Sequence, residues 1–325
     1  MQGSISRRSV IAAAFTAGAA PALADDTFPS RPVRLVVGFP PGGPTDMIGR
    51  IIANALSREF DAPFVVENLG GAGGTIGAAN VARSPADGHT LLVAVEASQT
   101  RAQALYPSAR YDQVQGFTYI RNLATQRNLL VVNPALPIRS VAEMIAYARA
   151  RPGEVAYGGT VGATSDIGGT IFAKQNRLDL TFVSYPGGNQ PVTDLMTGTL
   201  QAGFFTESTI APLVRGGQLR ALAITALARS PTFPEFPTVE EAGGGRLDIL
   251  PWFGLAGPAS LLSAVTLRVA KAADRITRSD AFRAQIETIG ASPIRDSSPE
   301  AFRAQVEREI PFWIAWAEEH RAQLR

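Results

Sequence analysis

The 325-residue chain is long enough for two domains and a large buried core. With 46% hydrophobic and 18% charged residues, its composition is that of an ordinary globular protein. Its formal charge of +2 falls to about zero without the two arginines of residues 1–24, and no long basic run follows, which argues against nucleic-acid binding. The absence of cysteine excludes disulfides, thiolate catalysis and cysteine-ligated metals, and it is compatible with an oxidising compartment.

The first 24 residues are typical of an export signal. A twin-arginine-like pair at 7–8 precedes a small apolar run at 12–20 and an Ala-Leu-Ala cleavage site at 22–24. The apolar run is too short to span a membrane. We therefore predict cleavage after Ala24, by a Tat or a Sec route, and a periplasmic location; an uncleaved anchor is the alternative.

Residues 33–60 predict a buried strand, a glycine turn and an amphipathic helix. The apolar run at 35–37 is typical of a strand, and the Pro-Pro-Gly-Gly-Pro turn at 40–44 ends it. Thr45 and Asp46 are N-cap residue types before an apolar helical face. Such a corner presents unpaired N–H groups and the positive end of a helix dipole, which suit an anion. A plain strand-to-helix turn remains an equal alternative.

Strands and helices continue to alternate after this unit. Strands at 64–67 and 90–95 flank a glycine cluster at 70–77 and a short helix, which predicts βαβ units and a parallel sheet. Ligands usually bind at the carboxyl ends of such strands. The Gly-x-Gly-x-x-x-Gly spacing of the cluster misses the dinucleotide fingerprint, so we interpret these glycines as turns and close packing.

A second lobe is predicted from the change of pattern after residue 117. Strands at 117–120 and 129–133 mark the first crossing, and Ser140 with Glu143 forms a capping box for the next helix. The strand–glycine turn–helix design then recurs at 155–172 and again at 182–196. The prediction is an α/β fold of two lobes joined by a two-stranded hinge. Lobe 1 comprises residues 25–126 and 250–325, and lobe 2 comprises residues 127–249.

Few side chains suit catalysis. The chain has two histidines, His89 and His320, and it has no HExxH, GxSxG or GxxxxGK[ST] motif. Ser98 and Ser165 are nucleophile types, but the sequence suggests no base for either. We therefore expect no enzyme, no cofactor and no metal. Three glycine loops from two lobes could instead converge on one ligand in a closing cleft.

Several motifs, taken in order, resemble those of one protein family. They run from PVRLVVGFPPGGPTDMIGR through LLVVNPALPIRSVAEMIAYARARPGEVAYG and GQLRALAITALARSPTFPEFPTVEEAG to WFGLAGPA, and they extend over essentially the whole chain after residue 24. This order resembles the Bug family, the extracytoplasmic substrate-binding proteins of tripartite tricarboxylate transporters. The resemblance implies a type II periplasmic-binding-protein fold that closes on a small organic carboxylate, with membrane permease subunits as partners, no nucleic acid, and a monomer.

The resemblance also implies a set of ligand-binding residues, with one ligand carboxylate held at the first loop by backbone N–H groups and ordered water. In lobe 1 they are Phe39, Pro40, Gly42, Gly43, Thr45, Asp46 and Ser98, and in lobe 2 they are Gly162, Ala163, Thr164, Tyr185 and Gly187. Asp166 and Glu207 are two further candidates, which the resemblance does not imply.

This chain departs from the family pattern on the second-lobe side. Asp166 stands where family members often have histidine, and Pro186 stands where they often have lysine. Phe205 and Thr206 stand where they often have an Asp-Asn pair, and Glu207 follows them. We hypothesise that Asp166 or Glu207 meets a donor at the far end of the ligand, since an unpaired buried carboxylate is costly. The alternative is that Asp166 caps its helix and Glu207 faces solvent.

These observations predict an exported receptor that hands a small carboxylate to a membrane permease. A stand-alone sensor for a signalling partner, or an enzyme on the same scaffold, remains an alternative. Neighbouring genes for membrane subunits would favour transport.

Overall fold

The computed structural model describes residues 28–185, 189–231 and 233–319. The predicted export signal and its cleavage site lie outside these residues, and so do Gly187 and His320. The described chain forms two α/β lobes, each built on one sheet. The boundaries at 126/127 and 249/250 stay a prediction. No helix within the described ranges is long and apolar enough to cross a bilayer.

The first sheet has six strands in the order β11-β4-β10-β3-β1-β2. β1 pairs in parallel with β2 and β3, whereas β10 runs antiparallel to β3 and β4 because it returns from the other lobe. The strands are β1 (Val33–Val37), β2 (Phe64–Asn68), β3 (Thr90–Val95), β4 (Phe117–Gln126), β10 (Trp252–Pro258) and β11 (Ala291–Pro293). The associated helices are α1 (Pro44–Phe60), α2 (Thr75–Ala82), α3 (Glu96–Gln99), α4 (Ala102–Leu105), α9 (Ser263–Arg278), α10 (Asp280–Glu287) and α11 (Pro299–Glu319).

The second sheet has five strands in the order β7-β6-β8-β5-β9. β6 is parallel to β7 and β8, and β5 is antiparallel to β8 and β9. The strands are β5 (Asn128–Val132), β6 (Val155–Gly159), β7 (Leu180–Ser184), β8 (Ala202–Thr206) and β9 (Arg220–Ile224). The helices are α5 (Val141–Arg149), α6 (Thr164–Asn176), α7 (Gln190–Thr197) and α8 (Glu207–Arg215).

Each sheet has a hydrophobic core on both faces, which explains the continuous apolar runs of the strands. On β1, Leu35 and Val37 face the core shared with α1 and α9, whereas Val36 faces the core shared with α2 and α11. On β5, Leu130 and Leu129 likewise face opposite cores. Because the parallel strands of each sheet run in the same direction, their carboxyl ends and the loops that follow lie at one edge of that sheet.

Helix α11 crosses from one lobe to the other. Phe302 and Val306 near its start lie in the first-lobe core with Trp252, whereas Trp316 and Ala317 near its end lie in the second-lobe core. The sequence predicted a two-stranded hinge, and β4 does end at Gln126, one residue before β5 begins. The helix therefore adds a third connection to that hinge.

The structure differs from the sequence prediction at two places, the start of α1 and the strand β11. Helix α1 begins at Pro44 with Gly43 as its N-cap, because proline fits the first helical position and Gly43 is extended. Thr45 and Asp46 consequently lie inside the first turn. The three-residue strand β11 was not predicted, because it has no apolar alternation and forms only by pairing with β4. One half of the predicted capping box is confirmed, since Ser140 Oγ accepts from the Glu143 N–H. The Glu143 carboxylate accepts from the Arg139 N–H and not from that of Ser140.

Candidate functional site

Two strand–loop–helix units, one in each lobe, have the same spacing. Gly42 and Asp46 in the first loop correspond to Gly162 and Asp166 in the second, 120 positions later. Both glycines have positive φ, 78° and 72°, a conformation that other residues adopt only with strain. In both units the aspartate Oδ2 accepts from the glycine N–H at 2.9 Å. The repeat explains why each loop needs glycine and aspartate at this separation.

In the first loop, Asp46 is held by its own lobe. Its Oδ2 also accepts from Arg50 Nε at 2.9 Å, and its Oδ1 accepts from Asn68 Nδ2 at 2.9 Å. Burial acts to raise the pKa of Asp46, but the hydrogen bonds from Arg50, Gly42 and Asn68 outweigh it and the pKa lies below its usual value. The carboxylate therefore organises the loop from behind.

In the second loop, Thr170 stands where the first loop has Arg50. Thr170 Oγ1 donates to Asp166 Oδ1 at 3.3 Å and also contacts the Tyr157 hydroxyl at 3.1 Å. Asp166 thus bonds to its own loop and helix through Gly162 and Thr170. It lies in the first turn of α6, whose N-cap is Ala163, so it does not cap the helix as the sequence alternative had it.

A cavity of about 140 Å³ lies between the two loops. First-lobe residues that line it are Phe39, Pro44, Thr45, Val95, Glu96, Ala97, Pro251 and Phe253. Second-lobe residues are Gly159, Thr160, Ala163, Thr164, Ser165, Asn189, Pro191, Val192, Phe204, Phe205, Thr206 and Thr209. No arginine, lysine or histidine is among these described lining residues.

Four helices of at least eight residues begin at this cavity, and the four-residue α3 begins there as well. α1, α6, α7 and α8 each contribute an N-cap or first-turn residue to its wall. First-turn N–H groups have no partner inside a helix, and the helix dipole is positive at that end. The site can therefore hold an anion with backbone donors and threonine or serine hydroxyls, while phenylalanine side chains contact an apolar body.

Glu96 is a buried acid in the cavity wall that sequence reasoning missed. Its Oε2 accepts from the Trp252 N–H at 3.2 Å, and its Oε1 lies 3.4 Å from Arg101 Nη2. Burial raises the pKa of the Glu96 carboxyl, and the nearby Arg101 opposes that rise. The available signal was its position at the carboxyl end of β3, where ligands of parallel sheets bind.

The predicted site residues fall into three groups. Phe39, Thr45, Ala163 and Thr164 line the cavity, and Pro40, Gly42, Gly43 and Gly162 belong to the two loops beside it. Asp46, Ser98, Asp166, Tyr185 and Glu207 lie outside the described lining.

All five of these outlying side chains have partners in the protein, and those of Asp46 and Asp166 are given above. Ser98 Oγ donates to Val95 O at 3.3 Å, and the Tyr185 hydroxyl donates to Asp194 Oδ2 at 2.5 Å. Glu207 is fully buried (0% exposed) and accepts from Ser230 Oγ at 2.6 Å, so the alternative that it faces solvent is wrong.

A larger cavity of about 780 Å³ lies on the α11 side of Glu96 and Arg101. It is lined by residues of both lobes and of α11, including Asp248, Trp252 and Arg308. Its wall lacks the four helix N-termini, so the smaller cavity is the better candidate for an organic anion. Over the described chain, no cluster of three His, Cys, Asp or Glu residues could hold a metal ion.

Residues 48–309 match the family model for the tripartite tricarboxylate transporter family receptor. The protein BugT of Bordetella pertussis (strain Tohama I) is 32% identical over 312 residues, which are 95% of each chain.

Two solved structures share both fold and sequence similarity with this chain. R. palustris Rpa4515 with adipate is 32% identical with a TM-score of 0.85, over 89% of this chain and 98% of that one. MatC from Rhodopseudomonas palustris with bound malate is 28% identical with a TM-score of 0.82, over 89% of this chain and 100% of that one.

Proposed function

This chain belongs to the tripartite tricarboxylate transporter receptor family, and from that membership we propose that it binds a small organic carboxylate in the cavity between its lobes. The protein is a solute-binding receptor of this family, whose members are periplasmic binding proteins that serve a transporter. We further propose that it delivers its ligand to membrane permease subunits as a monomer and does not transform it.

The observation that carries the ligand proposal is the convergence of four helix N-termini on one cavity that has no cationic side chain in its described wall. A cavity of this kind favours anions through backbone N–H groups. The adipate and malate in the two related structures are both carboxylates, which supports the same ligand class here.

We propose a position for the ligand within this cavity. One carboxylate lies at the start of α1 near Thr45, the apolar body contacts Phe39 and Phe204, and the far end lies at the start of α6 near Thr164. About 140 Å³ is close to the size of a cavity that holds a benzene-sized molecule. The ligand is therefore a short acid with a body of roughly six carbon atoms or fewer.

A thermal-shift screen of the ligand-free protein tests the ligand class. The probes are adipate, malate and benzoate, with adipamide as the uncharged counterpart of adipate. A probe at 100 times its dissociation constant stabilises the native state by about 2.7 kcal/mol, which gives a melting-temperature rise of several degrees. We expect a rise with at least one acid and none with adipamide. No rise with any acid, or an equal rise with adipamide, contradicts the proposal.

A matched pair of proline substitutions tests the role of the α6 N-terminus. Thr164 is the first residue of α6 and corresponds to Pro44 of α1, and Ala163 before it is extended, so Thr164→Pro removes donors without backbone strain. Ser263→Pro makes the same change at the first position of α9, outside the described cavity wall. We expect Thr164→Pro to weaken binding of the responding acid about tenfold. Equal affinities for both variants contradict the proposed position.

The export and lobe boundaries are also proposals. We propose that the chain is cleaved after Ala24, and that lobe 1 comprises 25–126 and 250–325 while lobe 2 comprises 127–249, with the end of α11 packed into the core of lobe 2. Mass spectrometry of the protein from the periplasmic fraction should give a mature chain that begins at Asp25. A mass that includes residues 1–24 would contradict cleavage.

A further inference from the structure

The two ligand loops repeat one design but are held in different ways. In the first loop, Phe39 O accepts from Asn68 Nδ2 at 3.0 Å, so the loop is fixed within its own lobe. In the second loop, Gly162 O accepts from Arg101 Nη1 at 2.7 Å, and Val161 O accepts from the Tyr106 hydroxyl at 2.6 Å. Both of these donors belong to the first-lobe segment between β3 and β4.

Arg101 is a buried cation at the junction of three parts of the molecule. Only 2% of it is exposed, and besides Gly162 it lies 3.4 Å from Glu96 in the cavity wall. Its guanidinium carbon is 4.2 Å from the centre of the Trp313 ring on α11. A buried guanidinium with these partners has a fixed orientation, because each contact restrains a different side of the group.

The segment after Arg101 also contacts the second loop sterically. Gly162 has positive φ, and a Cβ placed on it would clash with Leu105 Cδ1. The loop is therefore held from the first lobe at Val161 and Gly162, and from its own helix at Asp166. These constraints set the positions of the next residues, Ala163, Thr164 and Ser165, which line the cavity.

We propose that Arg101 is a positioning residue for ligand binding, which holds the second-lobe loop in its binding geometry from the opposite lobe without touching the ligand. The consequence is that the second loop is ordered only while the lobes are in contact around Arg101. The first loop has no such dependence. The ligand aspect of this inference rests on the proposed function, whereas the ordering of the loop does not.

Hydrogen exchange of the ligand-free protein tests the ordering directly. Arg101→Met removes the donor to Gly162 together with the cation–π contact on Trp313, and Glu96→Gln is combined with it so that no buried carboxylate is left unpaired. We expect amide exchange at residues 162–165 to rise ten- to hundredfold, as for loss of a charge-assisted hydrogen bond. Exchange at the equivalent residues 42–46 should stay within twofold of the unsubstituted protein.

Two further variants separate positioning from general destabilisation. Arg121→Met removes another buried arginine, which is bonded to Asp274 and to Ser297 O within the first lobe, and it should leave exchange at 162–165 unchanged. Tyr106→Phe removes only the hydroxyl donor to Val161 O and should raise amide exchange at residues 162–165 several-fold. This mild variant keeps the test valid if the Arg101 variant does not fold.

Binding kinetics with adipate as the probe add a functional measurement. We expect the Arg101 variant to release adipate ten- to hundredfold faster, with an association rate within threefold of the unsubstituted protein, and Arg101→Lys to restore part of the difference. The inference is overturned if exchange at 162–165 is unchanged in folded variants, or if it rises equally at 42–46. If the unsubstituted protein binds neither adipate nor malate, the proposed function fails while hydrogen exchange still decides the role of Arg101.

Discussion

Asp46 and Asp166 occupy equivalent positions in the two loops but have different hydrogen-bond partners, so the same substitution can be compared at both. Asp46→Asn leaves a single oxygen to serve three donors, from Gly42, Arg50 and Asn68. At least one buried donor then faces the new amide NH₂, at about 1–3 kcal/mol, whereas the half-exposed Arg50 pair adds less than about 1 kcal/mol. We expect Asp46→Asn to lower the free energy of unfolding by about 3 kcal/mol at pH 7.

The equivalent change in the second loop should cost less. At Asp166 one donor is the Thr170 hydroxyl, which can reverse and accept from the asparagine NH₂. We expect Asp166→Asn to lower the free energy of unfolding by about 1 kcal/mol. Guanidinium unfolding of both variants at pH 7 measures the two values. Equal costs would show that the different surroundings of the two aspartates do not matter.

The difference in unfolding free energy between the unsubstituted protein and Asp46→Asn depends on pH, and the pKa of Asp46 sets the sign of that dependence. Its pKa in the folded protein is lowered, so its stabilisation is present above its unfolded pKa of roughly 3.9 and is lost as the pH falls through the folded pKa. The difference between the unsubstituted protein and Asp46→Asn should therefore shrink in acid. Unfolding measured between pH 7 and pH 3 would refute the reasoning if the difference stayed constant.

Two further predictions concern other parts of the second lobe. Ser140→Ala removes the side-chain acceptor for the Glu143 N–H at the start of α5 and should cost about 1 kcal/mol of stability by guanidinium unfolding, with Ser263→Ala as a control that lacks such a bond. Burial, with the hydrogen bond to Asp194, raises the pKa of Tyr185 to about 12, so its stabilisation is present below about pH 10 and is lost as the pH rises through the folded pKa. Tyr185→Phe should flatten the fall of stability between pH 10 and pH 12, and an unchanged slope would contradict this.

Much of the fold could be predicted because the residue pattern of a short segment reflects where that segment lies in the folded protein. The apolar runs at β1, β3 and β5 are continuous because both faces of each sheet are buried, so the strands are visible in the sequence. The glycine and aspartate of each loop are visible for a similar reason, since the turn itself requires them. The repeat of strand, glycine turn and helix was therefore predictable.

The unpredicted features depend on residues far apart in the chain. Arg101 acts on Gly162, 61 positions later, and Glu96 accepts from Trp252, 156 positions later. No local spacing encodes either contact. The end of α11 was assigned to the first lobe for the same reason, because an amphipathic pattern shows that a face is buried but not which core buries it.

The path of α11 has a thermodynamic consequence. One helix supplies Phe302 to the first core and Trp316 to the second, so neither core is complete without it. Melting either lobe alone would strip apolar surface from the helix and weaken the remaining lobe. We therefore expect the two lobes to unfold as a single cooperative unit, so that heat or denaturant disrupts both together.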